Sequence, residues 1–242
     1  LHSTSRRQRQ MCIRDRGTGV FTGKKCQNFK AVASLYPEAC QIVVRKDSDI
    51  ETIDDLQGKK VSVGEEESGS ELNARQILEM SGLPEDLIKT KHLDYTDAAD
   101  KLAAGKIDAF FFTAGAQTTV VEELAKHCDI RLLNLDDKLR GKLTTAYPFY
   151  SDYTIPAGTY TGQKEDIQTV CVQSILVASD ALDNATVKKL TKTIFAHQKG
   201  LQYATSVDLQ LNESSAIKGV PIPFHPGAAA YYSERGINVK TE

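Results

Sequence analysis

The chain has no tryptophan, two methionines and five cysteines in 242 residues. The cysteines (Cys12, Cys26, Cys40, Cys128 and Cys171) form no CxxC pair, and the five histidines show no HxxxH spacing, so no zinc-ligand motif is present. An odd count permits at most two disulfides with one thiol left over, and the redox compartment stays open. No run approaches the roughly 18 apolar residues of a membrane helix, the best being VCVQSILVA (170–178). Neither sign of charge prevails: 30 basic against 32 acidic residues give a net charge of −2, which argues against a nucleic-acid coat or a polyanion binder. Enzyme motifs are missing too. There is no GxSxG elbow and no HExxH. GTGVFTGK (17–24) is a near miss for a phosphate loop: its first glycine is one position early, Lys25 stands where Ser or Thr belongs, and no strand precedes it. The expectation is a non-enzyme with no catalytic residues, no metal and no cofactor.

What is present is a chain long enough for one large or two modest domains, 40% apolar, with charge unevenly spread. Residues 1–16, LHSTSRRQRQMCIRDR, carry five arginines and one aspartate and have no apolar stretch, so they are not a secretory signal. A basic tail for anionic partners is one reading. The favoured one is a non-native tail, because MCIRDR resembles translated sequencing-adapter read-through; the native protein would then begin further upstream.

Strand and helix patterns alternate from residue 41 onward. QIVVRK (41–46) is β-rich, DSDIETIDDLQGKK (47–60) is a polar turn or short helix stopped by Gly58, and VSVG (61–64) is a strand ending in glycine. Ser68 or Ser70 then caps a helix whose Ala74, Ile77, Leu78 and Ser81 share one face, with Gly82 as its stop. Tyr95, Ala98, Ala99 and Leu102 form a second helical stripe ended by Gly105. DAFFF (108–112) is too apolar for a wet face and belongs inside a parallel sheet covered on both sides. TAGAQ (113–117) turns into a helix with Val120, Val121, Leu124 and Ala125 inward, and IRLLNL (130–135) is the next strand. Such alternation predicts an α/β fold with a parallel sheet. After Leu135 comes a Tyr-, Gly- and Pro-rich stretch, YPFYSDYTIPAGTYTGQ (147–163). A long strand TVCVQSILVAS (169–179) follows, then a helix over 183–201 with Val187, Leu190 and Ile194 on one side.

The candidate site starts from Ser68, Gly69 and Ser70, where a strand gives way to a helix. First-turn N–H groups and the helix dipole favour an anion there, Gly69 lets the backbone approach closely, and the serine hydroxyls can donate. The alternative is an ordinary cap, worth about 1 kcal/mol. Position at the carboxyl end of a parallel strand brings the ligand reading level with the cap and leaves both open. Thr113 and Gly115 occupy the equivalent turn after the FFF strand, with a helix-starting turn as the alternative, and no role is assigned to Gln117. Tyr160 can line or cover a cleft or simply pack at a hinge. His225, Tyr231 and Tyr232 read as structural, and Glu65–Glu66–Glu67 as a solvated loop, since successive side chains do not converge.

At this point several separated stretches, in order, resemble one family. LYPEACQIVVRKDSDIETIDDLQGKKVSVGEEESGSELNARQILEMSGL, AGKIDAFFFTAG, YPFYSDYTIPAGTYTGQ and IPFHPGAAAYYSERG look like the TAXI-family solute receptors, the substrate-binding proteins of one class of tripartite (TRAP) transporters. The resemblance runs from about Gly17 to Gly236. It implies a two-lobed periplasmic binding protein of type II topology that holds a small organic anion, such as glutamate or a dicarboxylate, between its lobes. It implies no cofactor and no nucleic acid, and delivery by a monomer to the membrane component of the transporter. It further implies a signal peptide and the first strand and helix of lobe one upstream of Gly17. The family often has proline where Gln117 stands. On this reading 17–48 and 165–242 form an incomplete lobe one and 49–164 form lobe two, with crossings near Arg45–Ser48 and Gln163–Thr169. Ser68, Gly69, Ser70, Thr113, Gly115 and Tyr160 are the ligand-binding candidates. A two-lobed sensor or enzyme domain using the same fold is the alternative.

Overall fold

The computed structural model describes residues 28–205, 209 and 211–242 of a mixed α/β chain. The near-miss phosphate loop, the basic head, Cys12 and Cys26 lie outside the described residues. The described residues divide into two compact units, one drawn from residues 28–37 and 173–242 and the other, hereafter unit 2, residues 38–172.

Among the described residues there are seven strands: β1 (Phe29–Arg45), β2 (Lys60–Ser62), β3 (Lys89–Lys91), β4 (Ala109–Ala114), β5 (Ile130–Leu132), β6 (Ser151–Ile155) and β7 (Ile167–Ser179). The helices are α1 (Gly69–Ser81), α2 (Tyr95–Ala103), α3 (Thr119–His127), α4 (Asp137–Ala146), α5 (Asn184–Ala196), α6 (Gln198–Tyr203) and α7 (Pro226–Ser233). The unit boundaries fall inside β1 and β7, whereas the sequence places them at the strand ends, near residues 48 and 165. β-rich segments that continue through a boundary carry no Gly or Pro cluster to mark it, and the single Pro37 sits within β1.

In unit 2 the sheet order is β3-β2-β4-β1-β7-β6, with β5 also pairing β1. β3, β2 and β4 are parallel, as alternating strands and helices require. β1, however, runs antiparallel to β4 and β5, and β6 antiparallel to β7, so the sheet is mixed rather than the parallel one expected. The FFF strand is buried on both faces all the same. Phe111 joins the core with α1 and α4 (Ala74, Ile77, Leu78, Leu139, Leu143), and Phe110 and Phe112 join the core with α2 and α3 (Ala98, Leu102, Val121, Leu124). Two helix layers on one sheet leave no strand face wet, which is why no alternation is visible in these strands.

Several helix faces follow the expected stripes, with local exceptions. Ala98, Ala99 and Leu102 are buried, but Tyr95 at the first position of α2 is 52% exposed. Asp94 caps that helix, accepting from the N–H groups of Thr96 and Asp97, and so places Tyr95 in the first turn, outside the packed face. In α5 the buried stripe is Val187, Thr191 and Phe195, while Leu190 is exposed. Thr191 is tolerated inside because its hydroxyl donates to the Val187 carbonyl at 2.8 Å. The helix expected over 183–201 breaks at His197, which closes α5 by donating its N–H to the Thr193 and Ile194 carbonyls.

In the other unit, α5 packs on α7, whose aromatics fill the core. Phe195 stacks on Tyr231 at 5.4 Å between centroids, and Tyr232 meets Phe224 edge-on. His225 caps α7: its Nδ1 accepts from the Gly227 N–H, and its Nε2 lies 3.2 Å from the Leu182 carbonyl. Burial, and then the bond it donates to Glu213, push the Tyr231 phenol up to about 12, and burial raises Tyr232 as well. An unfolded tyrosine ionises near pH 10. Stability held by these phenols is therefore complete below pH 10 and is lost as pH rises through about 12. Denaturant midpoints followed from pH 9 to 12 should fall, and less steeply for Tyr231→Phe; parallel falls would show that Tyr231 does not carry the effect.

Candidate functional site

Unit 2 brings two helix N-termini to the carboxyl ends of adjacent parallel strands. β2 leads through Gly64 to α1, and β4 leads through Gly115 to α3. Both connecting loops contain a non-glycine residue in the left-handed region, Glu67 (φ 58°) and Gln117 (φ 63°). Such residues are uncommon and persist where surrounding contacts over-determine them.

At the first N-terminus Ser68 is the N-cap. Its Oγ accepts from the Glu71 N–H at 3.1 Å, and Gly69 opens the helix. Ser70 Oγ accepts from the Thr113 N–H at 3.1 Å, tying α1 to the end of β4. Behind this contact runs a buried polar chain. Asn73 Nδ2 donates to Thr113 Oγ1 at 2.6 Å and to Cys40 Sγ at 3.2 Å. The Tyr150 hydroxyl donates to Asn73 Oδ1 at 2.5 Å and lies 2.8 Å from Gln76 Oε1. The Ser68 and Ser70 oxygens are thus used as acceptors of backbone N–H groups, which leaves their O–H groups able to donate. The groups that can face an anion at this end are the first-turn backbone N–H groups and these two hydroxyls.

Gly64 is what allows the approach. It has φ +102°, and a Cβ there would lie 2.8 Å from Ser70 Cβ and 3.1 Å from both Ser68 Oγ and the Glu71 nitrogen. In the sequence it shows only as the glycine at the end of VSVG.

The second N-terminus has a different construction. Thr118 is the N-cap of α3, but its side chain makes no capping bond to the helix. The Thr118 N–H donates to the Tyr160 hydroxyl at 3.2 Å, and Thr118 Oγ1 lies 3.1 Å from the same oxygen. Tyr160 is 2% exposed and donates to Gln41 Oε1 at 2.8 Å. Its segment is pinned to α3 through Thr161, whose N–H and hydroxyl donate to Glu122. Those bonds hold the Glu122 carboxyl below the usual carboxylate range.

Of the six candidates, the structure joins Ser68, Gly69, Ser70 and Thr113 at one helix start. Tyr160 joins the other, and Gly115 is buried on the loop between Thr113 and Thr118. Alternation along β1 separates the two groups: Cys40 belongs to the core with α1, and its neighbours Ala39 and Val43 to the core with Tyr160. Asn73, Tyr150, Cys40 and Gln41 went unnoticed in the sequence. An asparagine inside an otherwise apolar helix stripe, next to Ala74 and Ile77, was the signal available. Cys128 and Cys171 carry free thiols, and burial pushes Cys171 up to about 12, beyond the range of a reactive thiolate.

A family model described as the NMT1-like family matches residues 13–236. The chain belongs to the NMT1-like family. Solved structures resemble this NMT1-like chain at low identity. The periplasmic aliphatic sulphonate binding protein SsuA from Escherichia coli is 16% identical over 93% of this chain and 69% of its own, with a TM-score of 0.45. An ancestral arginine-binding protein bound to arginine is 18% identical over 71% of this chain and 61% of its own, with a TM-score of 0.39. A periplasmic binding protein from Brucella ovis with glutathione bound is 12% identical over 83% of this chain and 54% of its own, with a TM-score of 0.48. The NMT1-like chain thus spans less than two thirds of the second and third of these structures. Among the described residues no helix is long and apolar enough to cross a membrane.

Proposed function

We propose that this NMT1-like chain is the substrate-binding receptor of a tripartite (TRAP) transporter of the TAXI type, working outside the cytoplasm. It captures a small organic anion, an amino acid such as glutamate or a dicarboxylate, and delivers it to the membrane component. The observation that carries this reading is the pair of helix N-termini, α1 and α3, at the carboxyl ends of the parallel neighbours β2 and β4. Open α/β sheets bind ligands at that end, and aligned peptide dipoles favour a negative group there. The order of family-like stretches along the sequence supports the transporter class. Ser68, Gly69, Ser70, Thr113, Gly115 and Tyr160 are the ligand-facing set proposed for unit 2, the first four through backbone and β4-end contacts and Tyr160 through α3.

The test is a melting-temperature series on the purified chain with L-glutamate, succinate, taurine and L-arginine. A bound anion at 100 times its dissociation constant should add about 2.7 kcal/mol of stability. Ser70→Glu places a carboxylate at the helix start and should abolish the shift while circular dichroism stays unchanged. A folded chain whose melting temperature responds to none of the anions would overturn the reading.

A further inference from the structure

Gln41 is a polar residue in the middle of a strand core. It lies on β1 opposite Phe112 of β4 and is 2% exposed. Its Oε1 is satisfied by the Tyr160 hydroxyl at 2.8 Å, but Nε2 has no hydrogen-bond partner. Two N–H donors of one buried amide are therefore unused. Nearly all buried polar groups are paired, so an orphaned donor of this kind calls for a reason.

The surroundings supply one. The bond from Tyr160 fixes the amide, and Tyr160 in turn holds Thr118, the N-cap of α3 that makes no side-chain bond to its own helix. One trigonal carbon carries both amide atoms, so Nε2 sits beside the Tyr160–Thr118 contact at a helix start of full length (nine residues). The uncommitted donors here are the Gln41 amide hydrogens and the first-turn N–H groups of α3, while the Glu122 carboxylate of that turn is engaged by Thr161. The hydrogen bonds joining Gln41, Thr118 and the Tyr160 hydroxyl involve no charged side chain. N–H donors at the positive end of a helix favour an oxyanion oxygen.

We infer that Gln41 is a ligand-contacting, specificity-determining residue, its Nε2 donating to an oxyanion oxygen (carboxylate or sulfonate) bound at the N-terminus of α3. The inference rests on the receptor reading above and names the group that reads the anion. Tyr160, beside it, also acts as the positioning residue that holds the amide with its donors free.

Calorimetric titration of the full chain with L-glutamate, succinate and taurine tests this. For whichever probe the unaltered chain binds, Gln41→Leu should weaken binding roughly 10- to 100-fold, the effect of losing a hydrogen bond to a charged group. Gln41→Glu, which presents a carboxylate to the anion, should weaken it at least as much. Gln41→Leu also takes away the acceptor of the buried Tyr160 hydroxyl, so a lower melting temperature is expected whichever role the glutamine has, and the affinity decides: a merely structural glutamine would leave it unchanged. Unchanged affinity in Gln41→Leu overturns the inference and leaves the receptor reading standing. An unaltered chain that binds none of the probes overturns the receptor reading, and the inference with it. Should Gln41→Leu fail to fold, the side-chain amide resonances of Gln41 in the unaltered chain decide: they move on adding the bound probe if the inference holds, and stay in place if it fails.

Discussion

Gly227→Ala should destabilise the chain by about 3 kcal/mol, through the unit that contains α5 and α7. Gly227 is buried in the first turn of α7, where it meets the start of α5. A methyl group there would lie 2.4 Å from the Asn184 carbonyl oxygen, 3.0 Å from the Lys188 nitrogen and 3.0 Å from Val187 Cβ. Two of those three atoms are backbone, so no rotamer change relieves the overlap; the helices must separate. Separation would loosen the Phe195–Tyr231 stack and the edge-on contact of Phe195 with Tyr232. For a chain of this length the melting temperature should drop by roughly 10 °C. Val187→Ala in the same chain should not restore it, since alanine keeps the Cβ that the new methyl meets and the two backbone contacts remain. A Gly227→Ala protein that melts with the parent would show that α5 and α7 do not approach this closely.

Gly64→Ala should cost about 3 kcal/mol as well, and it should act on the candidate site. Two effects add. An L-residue held in the left-handed region costs roughly 1–2 kcal/mol, and a Cβ 2.8 Å from Ser70 Cβ adds overpacking of about 1–3 kcal/mol. Gly58→Ala is the control, because Gly58 has φ +72° but open space around its missing Cβ. It should show the strain alone, about 1 kcal/mol. Urea midpoints at unchanged m-value measure both variants. The difference between them reports the contact with α1, and equal losses would mean that Gly64 matters only as a turn. If the receptor reading holds, Gly64→Ala should also weaken anion binding, because the Ser68–Ser70 turn must shift to make room.

Much of unit 2 was legible because its local signals agree with its packing. Ser68 caps, Gly82 stops with φ +95°, and Ala74, Ile77 and Leu78 face inward, so α1 could be read almost to the residue. The helix α4 was missed, although Asp136 caps it by accepting from the Leu139 N–H, and Leu139 and Leu143 are spaced for one face. Its two apolar contacts are sparse, and the Tyr- and Pro-rich stretch that follows masks the pattern. β1 was read from Gln41 onward, yet it begins at Phe29. Residues 29–40 include Ser34, Tyr36, Pro37 and Glu38, which as a string do not look like strand. Pairing with neighbours distant in sequence, including the parallel bridge between Ala31 and Phe224, is what makes them one.

The chemistry of the candidate site divides along the same line. That a helix starts at Ser68–Gly69–Ser70 and another shortly after Thr113 follows from residue type and spacing, because capping and glycine stops are local interactions. That Ser70 receives the Thr113 N–H, that Asn73 links Thr113 to Tyr150, and that Tyr160 reaches Thr118 and Gln41 are contacts across 40 to 119 residues of chain. By itself the sequence determined the α/β class, the start and stop of α1, and which strand is buried on both faces. The mixed direction of the sheet, the unit boundaries inside β1 and β7, and the orphaned amide of Gln41 were decided by tertiary structure alone. Long-range pairing and burial choose partners that no local pattern of residues encodes.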